Sequence, residues 1–365
     1  MLARALALAS LLALLGPVCA GAETAPVVLV TPLVYGTHMP GLGDSATKLA
    51  ALIKERSGGS LQLDLKQPGD GTMPDEILDK VAGAKVDAGF STASFWAAKL
   101  PAAALFSGFP FGPDAKTYLD WFDNGDGLSL YQEMYDHAGV KVHVLPCAFG
   151  GAESGGWFAK EIRSKDDLKG LRMRIFGLGA RVMAEAGATT VLLPGSKIAS
   201  AFDKKEIDAA ELYTPAVDIE QPFKDKVKLI YMPGWHQPET VLELIVNKDR
   251  WEALSAEQRG VIEGACNTLL HQSLADSAGL QAAALAEMTA KYGVRVETWP
   301  DEVLAALKEA WAKVAKEEGD QDYFFRFVLD DIDKFRVQPP AAEAPVSTEP
   351  GSGPPEAAPA QTAQP

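Results

Sequence analysis

The sequence predicts an α/β protein with two domains, on three observations. Short apolar runs alternate with segments of helical spacing, the alternation resumes after residue 140, and Ser255 to Tyr292 is Ala-rich with helical spacing nearly throughout. Strand–helix–strand alternation points to a largely parallel sheet with helices on its faces. About 310 residues between the two chain ends are enough for two cores rather than one.

In order, Val27 to Val30 reads as a first buried strand, followed by the loop Tyr35 to Gly41. Leu42 to Arg56 has helical spacing with Leu49, Leu52 and Ile53 on one side, and Ser57-Gly58-Gly59 stops it. Leu61 to Leu65 alternates as a strand, Pro74 to Ala84 reads as a helix, and Val86 to Phe90 as the next strand. In the second half, Val140 to Leu145, Gly156 to Ala159, Leu171 to Ile175, Thr190 to Leu192 and Ile207 to Leu212 read as strands. Arg181 to Ala186 and Ile198 to Lys205 read as helices between them. Lys226 to Tyr231 precedes Val241 to Val246, an apolar run that fits a strand through a sheet centre. The long helix from Ser255 could brace both domains, and Asp301 to Lys316 is a further amphipathic helix.

The chain ends differ from this pattern. Arg4, the uncharged apolar run Ala5 to Leu15, the Gly16-Pro17 break and Ala20-Gly21-Ala22 read as a secretory signal, residues 1–22, with a mature chain starting near Glu23. Cys19 raises a lipoprotein alternative, but Pro17-Val18 before it is a poor context for lipoprotein cleavage. Residues 338–365, dominated by Pro, Ala, Gly, Ser and Glu, lack the apolar surface that ordering requires and read as a disordered tail. Export to an extracytoplasmic compartment follows. The net charge of −15 argues against a nucleic-acid partner, which needs a basic footprint. With Cys19 removed, Cys147 and Cys266 remain. Two cysteines make no disulfide framework; one bridge is open to them, but buried small hydrophobes are the simpler expectation.

One stretch carries chemistry. Leu171-Arg172-Met173-Arg174-Ile175 is strand-like, and Gly177-Leu178-Gly179 follows just before a helix. A fixed guanidinium can grip both oxygens of a carboxylate, and free N–H groups at a glycine-opened helix start can point at the same charge. No H-E-x-x-H, C-x-x-C, P-loop or G-x-S-x-G pattern is present, and the histidines show no zinc spacing.

Several runs, in consistent order, resemble one family. They include Val86-Asp87-Ala88-Gly89, Phe95 to Pro101, Phe109-Pro110-Phe111-Gly112, Gly155-Gly156-Trp157-Phe158, the Arg174 run, Ile207-Asp208-Ala209 and Pro233-Gly234-Trp235-His236. The chain from Val27 to Phe335 is similar to the extracytoplasmic solute-binding proteins of tripartite ATP-independent periplasmic (TRAP) transporters, in the branch that binds 2-oxoacids and related monocarboxylates. The resemblance implies a periplasmic, two-lobed binding protein with hinge strands and a long helix spanning both lobes. It puts residues 23–149 plus about 238–275 in the first lobe, and 150–237 plus about 276–337 in the second. It also implies a small organic acid as ligand, membrane permease subunits as partners, and, from some relatives, a possible homodimer.

The same resemblance assigns the site. Arg174 would pair with the substrate carboxylate. Glu153 stands where the branch commonly has glutamine, facing ligand and metal; Glu211 matches an acidic metal ligand; Gln237 stands where the branch often has glutamate. The two exchanges compensate, leaving two negative side chains of three. Leu212 replaces a common tryptophan whose backbone carbonyl touches the metal, so the pocket is expected to be wider there. Phe95 and Trp96 fall near the first-lobe pocket, with core packing as an equally good account. Trp235 and His236 are expected to be a packed aromatic and a satisfied histidine. Loop carboxylates without a neighbouring Cys or His suit a hard cation, Ca²⁺ or Na⁺, and charge balance leans towards Ca²⁺. The function expected is capture and delivery of the acid, not catalysis. A metal-dependent periplasmic enzyme acting on carboxylates, and a sensor passing its closed shape to a receptor, are the alternatives.

Overall fold

Strand β1 (Val27–Pro32) opens the fold, followed by α1 (Gly43–Arg56), β2 (Leu61–Lys66), α2 (Ile77–Ala82) and β3 (Ala88–Ser91) in a computed structural model that describes residues 25–337. The expected signal peptide and tail lie outside the described residues. Next come α3 (Ala115–Asn124), α4 (Gly127–His137) and β4 (Val142–Phe149), then β5 (Gly156–Phe158), β6 (Arg172–Arg174), α5 (Gly177–Glu185) and β7 (Thr189–Val191). The chain continues through α6 (Gly195–Asp203), β8 (Ala209–Ala210), α7 (Pro215–Asp218), β9 (Leu229–Met232) and β10 (Val241–Asn247). It closes with α8 (Lys248–Ala253), α9 (Ala256–Tyr292), β11 (Arg295–Thr298), α10 (Asp301–Gln321) and α11 (Tyr323–Val337).

Two sheet systems form. β1 and β2 pair in parallel, a Leu33–Phe90 bridge links them to β3, and β10 lies antiparallel between β3 and β4. The second sheet runs β11-β9-β5-β8-β6-β7 and mixes parallel with antiparallel pairs. The expectation of a largely parallel sheet is therefore corrected. β10 returns from the second half of the fold to the first, and all seven of its residues are buried. β5 likewise enters its sheet antiparallel to both neighbours.

Local chemistry explains the principal helices. In α1, Leu49 and Ile53 are fully buried, and Lys54 and Arg56 stand in the last turn where they complement the dipole. Helix α9 starts with a capping box: Ser255 Oγ accepts from Gln258 N–H at 3.1 Å, and Gln258 Oε1 accepts from Ser255 N–H at 3.0 Å. It runs 37 residues and ends at Gly293, whose φ of 64° is the left-handed cap that glycine favours. Its first half packs Ile262, Ala265 and Leu269 into the larger core, while Leu285 and Met288 join a second cluster around Trp157, Ile198 and Phe223.

Cys147 and Cys266 are bonded, with an S–S distance of 2.08 Å, which corrects the expectation of two free thiols. The cause lies in β4. Leu242 pairs with Ala148 and Glu243 with Pro146, so Cys147 is the extra residue of a bulge. Pro146 has no N–H for the ladder, and the bulge leaves Cys147 free to face α9.

Candidate functional site

Arg174 ends β6, beside Ala210 of β8, and the strand pairing aims its side chain at the start of the segment after β8. Its Nε donates to the Leu193 carbonyl at 3.1 Å, and Nη1 donates to the Glu211 carbonyl and, at 3.1 Å, to Glu211 Oε2. Both side chains are buried, and among the described residues Nη2 makes no protein hydrogen bond. Three donor directions are thus spent on holding the guanidinium, and one edge remains for a ligand.

Glu153 meets this pair from the other side. Its loop is fixed by crossing bonds to the segment before β10: Glu153 N–H donates to the Gln237 carbonyl at 3.2 Å, and Gly234 N–H donates to the Glu153 carbonyl at 2.9 Å. Gln237 Nε2 donates to Glu153 Oε1 at 2.9 Å and to Thr240 Oγ1 at 3.0 Å. His236 Nε2 lies 3.2 Å from Glu153 Oε2. Burial raises the Glu153 carboxyl well above its ordinary range; burial raises Glu211 too, and the neighbouring Glu153 charge adds to it. Burial lowers His236, favouring the neutral ring. Two adjacent carboxyls whose ionisation is resisted by burial are a fit for a cation: a positive ion would replace the protons they otherwise retain.

These groups open on a cleft of about 640 Å³, within the size range of small-molecule sites. Tyr35, Phe95, Phe176, Leu212 and Tyr213 supply its apolar wall. Tyr35 makes edge contacts with Phe95 (5.9 Å between ring centres) and with Tyr213 (5.8 Å), joining residues from both halves of the fold. Leu193, Pro194 and Gly195 complete the wall, so the positive end of α6 borders the cleft.

Of the sequence-predicted residues, Arg174, Glu153, Glu211, Leu212, Gln237 and Phe95 come together here. Trp96 does not. It is 2% exposed and its indole N–H donates to Glu243 at 2.9 Å, turned away from the cleft that neighbouring Phe95 lines. Glu243 also accepts from Ser91, Tyr131 and Tyr135, a buried carboxylate held wholly by neutral donors. The glycines after Arg174 are also displaced from the role expected. Gly177 has a φ of 62°, and a Cβ on Gly179 would stand 2.9 Å from His236 Cβ. They turn the chain and seat His236; the helix start that borders the cleft belongs to α6. His236, Tyr35 and Tyr213 are site residues that sequence reasoning missed. The Trp235-His236 run was in view, but nothing in it signalled the crossing with Glu153.

A profile described as bacterial extracellular solute-binding protein, family 7 (DctP), matches residues 40–322. The chain belongs to this family. It is 31% identical over 293 residues to the monocarboxylate 2-oxoacid-binding periplasmic protein of Nostoc sp., covering 80% of each chain. It superposes with a TM-score of 0.79 and 27% identity on a TRAP periplasmic solute-binding protein from Pseudoalteromonas atlantica with bound sodium and pyruvate, covering 86% of this chain and 94% of that one. A TRAP solute-binding protein from Bordetella bronchiseptica, with calcium and picolinate in one site of a mixed-occupancy dimer, gives a TM-score of 0.79 at 26% identity, covering 86% and 95%. Members of the family bind solutes outside the cytoplasm; this chain is a two-lobed extracytoplasmic binding protein, not an enzyme. No helix among the described residues is long and apolar enough to cross a membrane.

Proposed function

We propose that this protein captures a small monocarboxylate, a 2-oxoacid or a close relative, together with a metal cation, and delivers it to TRAP permease subunits. The observation that carries this reading is one buried guanidinium with a free edge beside two buried carboxyls in the same cleft. Arg174 Nη2 would hold the acid group. Glu153, Glu211, the Gln237 side chain and the Leu212 carbonyl would hold the cation, which supplies the positive charge that offsets two carboxylates and the ligand. With Glu153, Glu211 and a bound acid ionised, Arg174 alone leaves two negative charges in a poorly hydrated cleft, a heavy cost that a cation removes. Ca²⁺ and Na⁺ are the ions that accompany carboxylates in the relatives.

Phe95 and Tyr35 would cover the acid from the first lobe, taken as residues 23–149 plus about 238–275. Residues 150–237 plus about 276–337 form the second. Contacts with both lobes are what allow a ligand to favour closure. Leu212, where an aromatic residue is common, leaves room for an acid larger than pyruvate. Tyr323 and Phe327 stand exposed on α11, an aromatic face that a homodimer would cover.

A thermal-shift screen of small carboxylates on chelator-treated protein, with and without Ca²⁺ or Na⁺, tests the reading. A 2-oxoacid is expected to raise Tm, and more so with cation present. A shift from sugars or amino acids but from no monocarboxylate overturns it.

A further inference from the structure

The donors beside Glu153 and Glu211 are not all oxygen. One ligand atom each of Glu153, Glu211 and His236 lies within 4.8 Å of the other two, and all three residues are buried. We infer that His236 is a further ligand of the cation site, and that this chain takes a borderline divalent cation, Zn²⁺, in preference to Ca²⁺ or Na⁺. This rests on the cation reading proposed above and narrows it.

The chemistry of the donor set carries the argument. Carboxylate and carbonyl oxygens alone suit Ca²⁺; an imidazole nitrogen adds little for a hard ion and much for Zn²⁺, while Mn²⁺ accepts both. The ring is also held in place. A Cβ on Gly179 would stand 2.9 Å from His236 Cβ, and one on Gly234 would stand 3.2 Å from His236 Cε1. The ring is therefore packed between two bare backbone positions, with Nε2 on the carboxyl side.

The second ring nitrogen sets a condition on this reading. His236 Nδ1 is buried and has no hydrogen-bond partner among the described residues. A histidine bound to metal through Nε2 carries its proton on Nδ1 and needs an acceptor there. His236 lines a recess of about 30 Å³ with Gly177, Gly179 and Gln237, room for one water. Ligation through Nε2 requires an acceptor of that kind within reach of Nδ1. Charge agrees: a divalent ion and Arg174 against Glu153, Glu211 and one monocarboxylate sum to zero.

The test uses the full chain stripped by chelation. Calorimetry with Zn²⁺, Mn²⁺, Ca²⁺ and Na⁺ is run on the native protein and on His236→Gln. Electron spin echo of the Mn²⁺-loaded native protein looks for imidazole nitrogen at the metal. Expected are Zn²⁺ binding tighter than Ca²⁺, at least a tenfold loss of Zn²⁺ affinity in His236→Gln with Ca²⁺ affinity within threefold, and a nitrogen signal. Unchanged Zn²⁺ affinity in the variant, or Ca²⁺ as the tighter ion, overturns the inference and leaves the cation reading standing. If His236→Gln does not fold, absence of nitrogen from the native echo overturns it. Binding of no cation at all, with acids bound equally well without one, overturns both.

Discussion

Arg174 and Glu211 are bonded in both directions: the Glu211 N–H donates to the Arg174 carbonyl at 2.9 Å, and Arg174 Nη1 donates back to the Glu211 carbonyl and carboxylate. The guanidinium is therefore a rigid part of the sheet edge. Its orientation is set before any ligand arrives, and a ligand that meets Nη2 pays little for ordering it.

Replacing Arg174 separates charge from geometry. Arg174→Ala removes the only cation close to Glu153 and Glu211 in the cleft lining and should weaken pyruvate binding by 100-fold or more, about 3 kcal/mol. Arg174→Lys keeps a charge but loses the planar fork and its bonds to Leu193 and Glu211, so a loss of about tenfold is expected. Calorimetry on both variants checks the order. Equal affinities for native and Lys proteins would mean that only charge matters there.

Leu212 controls width. Its side chain lies against Gly195 at the start of α6, on the cleft wall. Leu212→Trp should narrow the cleft and shift the affinity ratio of pyruvate to picolinate towards pyruvate by about tenfold, the scale of one or two methylene-sized contacts. Competition binding between the two acids measures the ratio; an unchanged value would place the ligand elsewhere along the wall.

The two buried carboxyls make the stripped protein sensitive to pH. Both have folded pKa values of about 7 against ordinary values of 4.5, so the folded state holds protons that the unfolded chain has released. The stability this contributes is full below pH 4.5 and is lost as pH rises through 7, on the order of 3 kcal/mol for each carboxyl. Asp218, Glu239 and Glu243 are raised by burial and add to the same slope. The decisive quantity is therefore the difference a cation makes. Tm of chelated protein should fall from pH 5.5 to 8, and saturating cation should remove part of that fall. Parallel curves with and without cation would exclude Glu153 and Glu211 as its ligands.

The Cys147–Cys266 bridge closes a loop across a sequence separation of 119 residues. Cys266→Ser should cost about 4 kcal/mol, with the chain-entropy estimate near 5 as an upper figure. Urea unfolding of native and variant proteins under oxidising conditions measures it. A loss below 1 kcal/mol would show that the bulged strand holds its place on α9 without the bond.

Much of the fold was legible because its signals are local. The long helix announces itself by its Ala-rich helical spacing, and β10 by its apolar run. The helices α3, α4 and α11 were not anticipated; α3 and α4 are short and pack through Tyr118, Trp121 and Tyr131 on the 3₁₀ turn Pro101–Phe106. Arg174 could be assigned because its strand run and its charge point the same way. Phe95 and Trp96 could not be told apart, since two adjacent aromatics on a 3₁₀ turn face opposite sides. The disulfide depends on a one-residue bulge, which no spacing rule reveals. His236 reaches Glu153 only because two loops 83 residues apart exchange backbone hydrogen bonds.

Gln281, in the second half of α9, donates to the Gly150 carbonyl at 3.1 Å and accepts from the Ala216 N–H at 2.8 Å. One unbroken rod of about 55 Å thus serves as a common spine, riveted at Gln281 to the connecting loop. Opening and shutting must then be a flexing around that spine, with the mouth of the cleft travelling far and the floor at Gln281 hardly at all. A chemical label at the rim would report ligand; the same label beside Gln281 would stay silent.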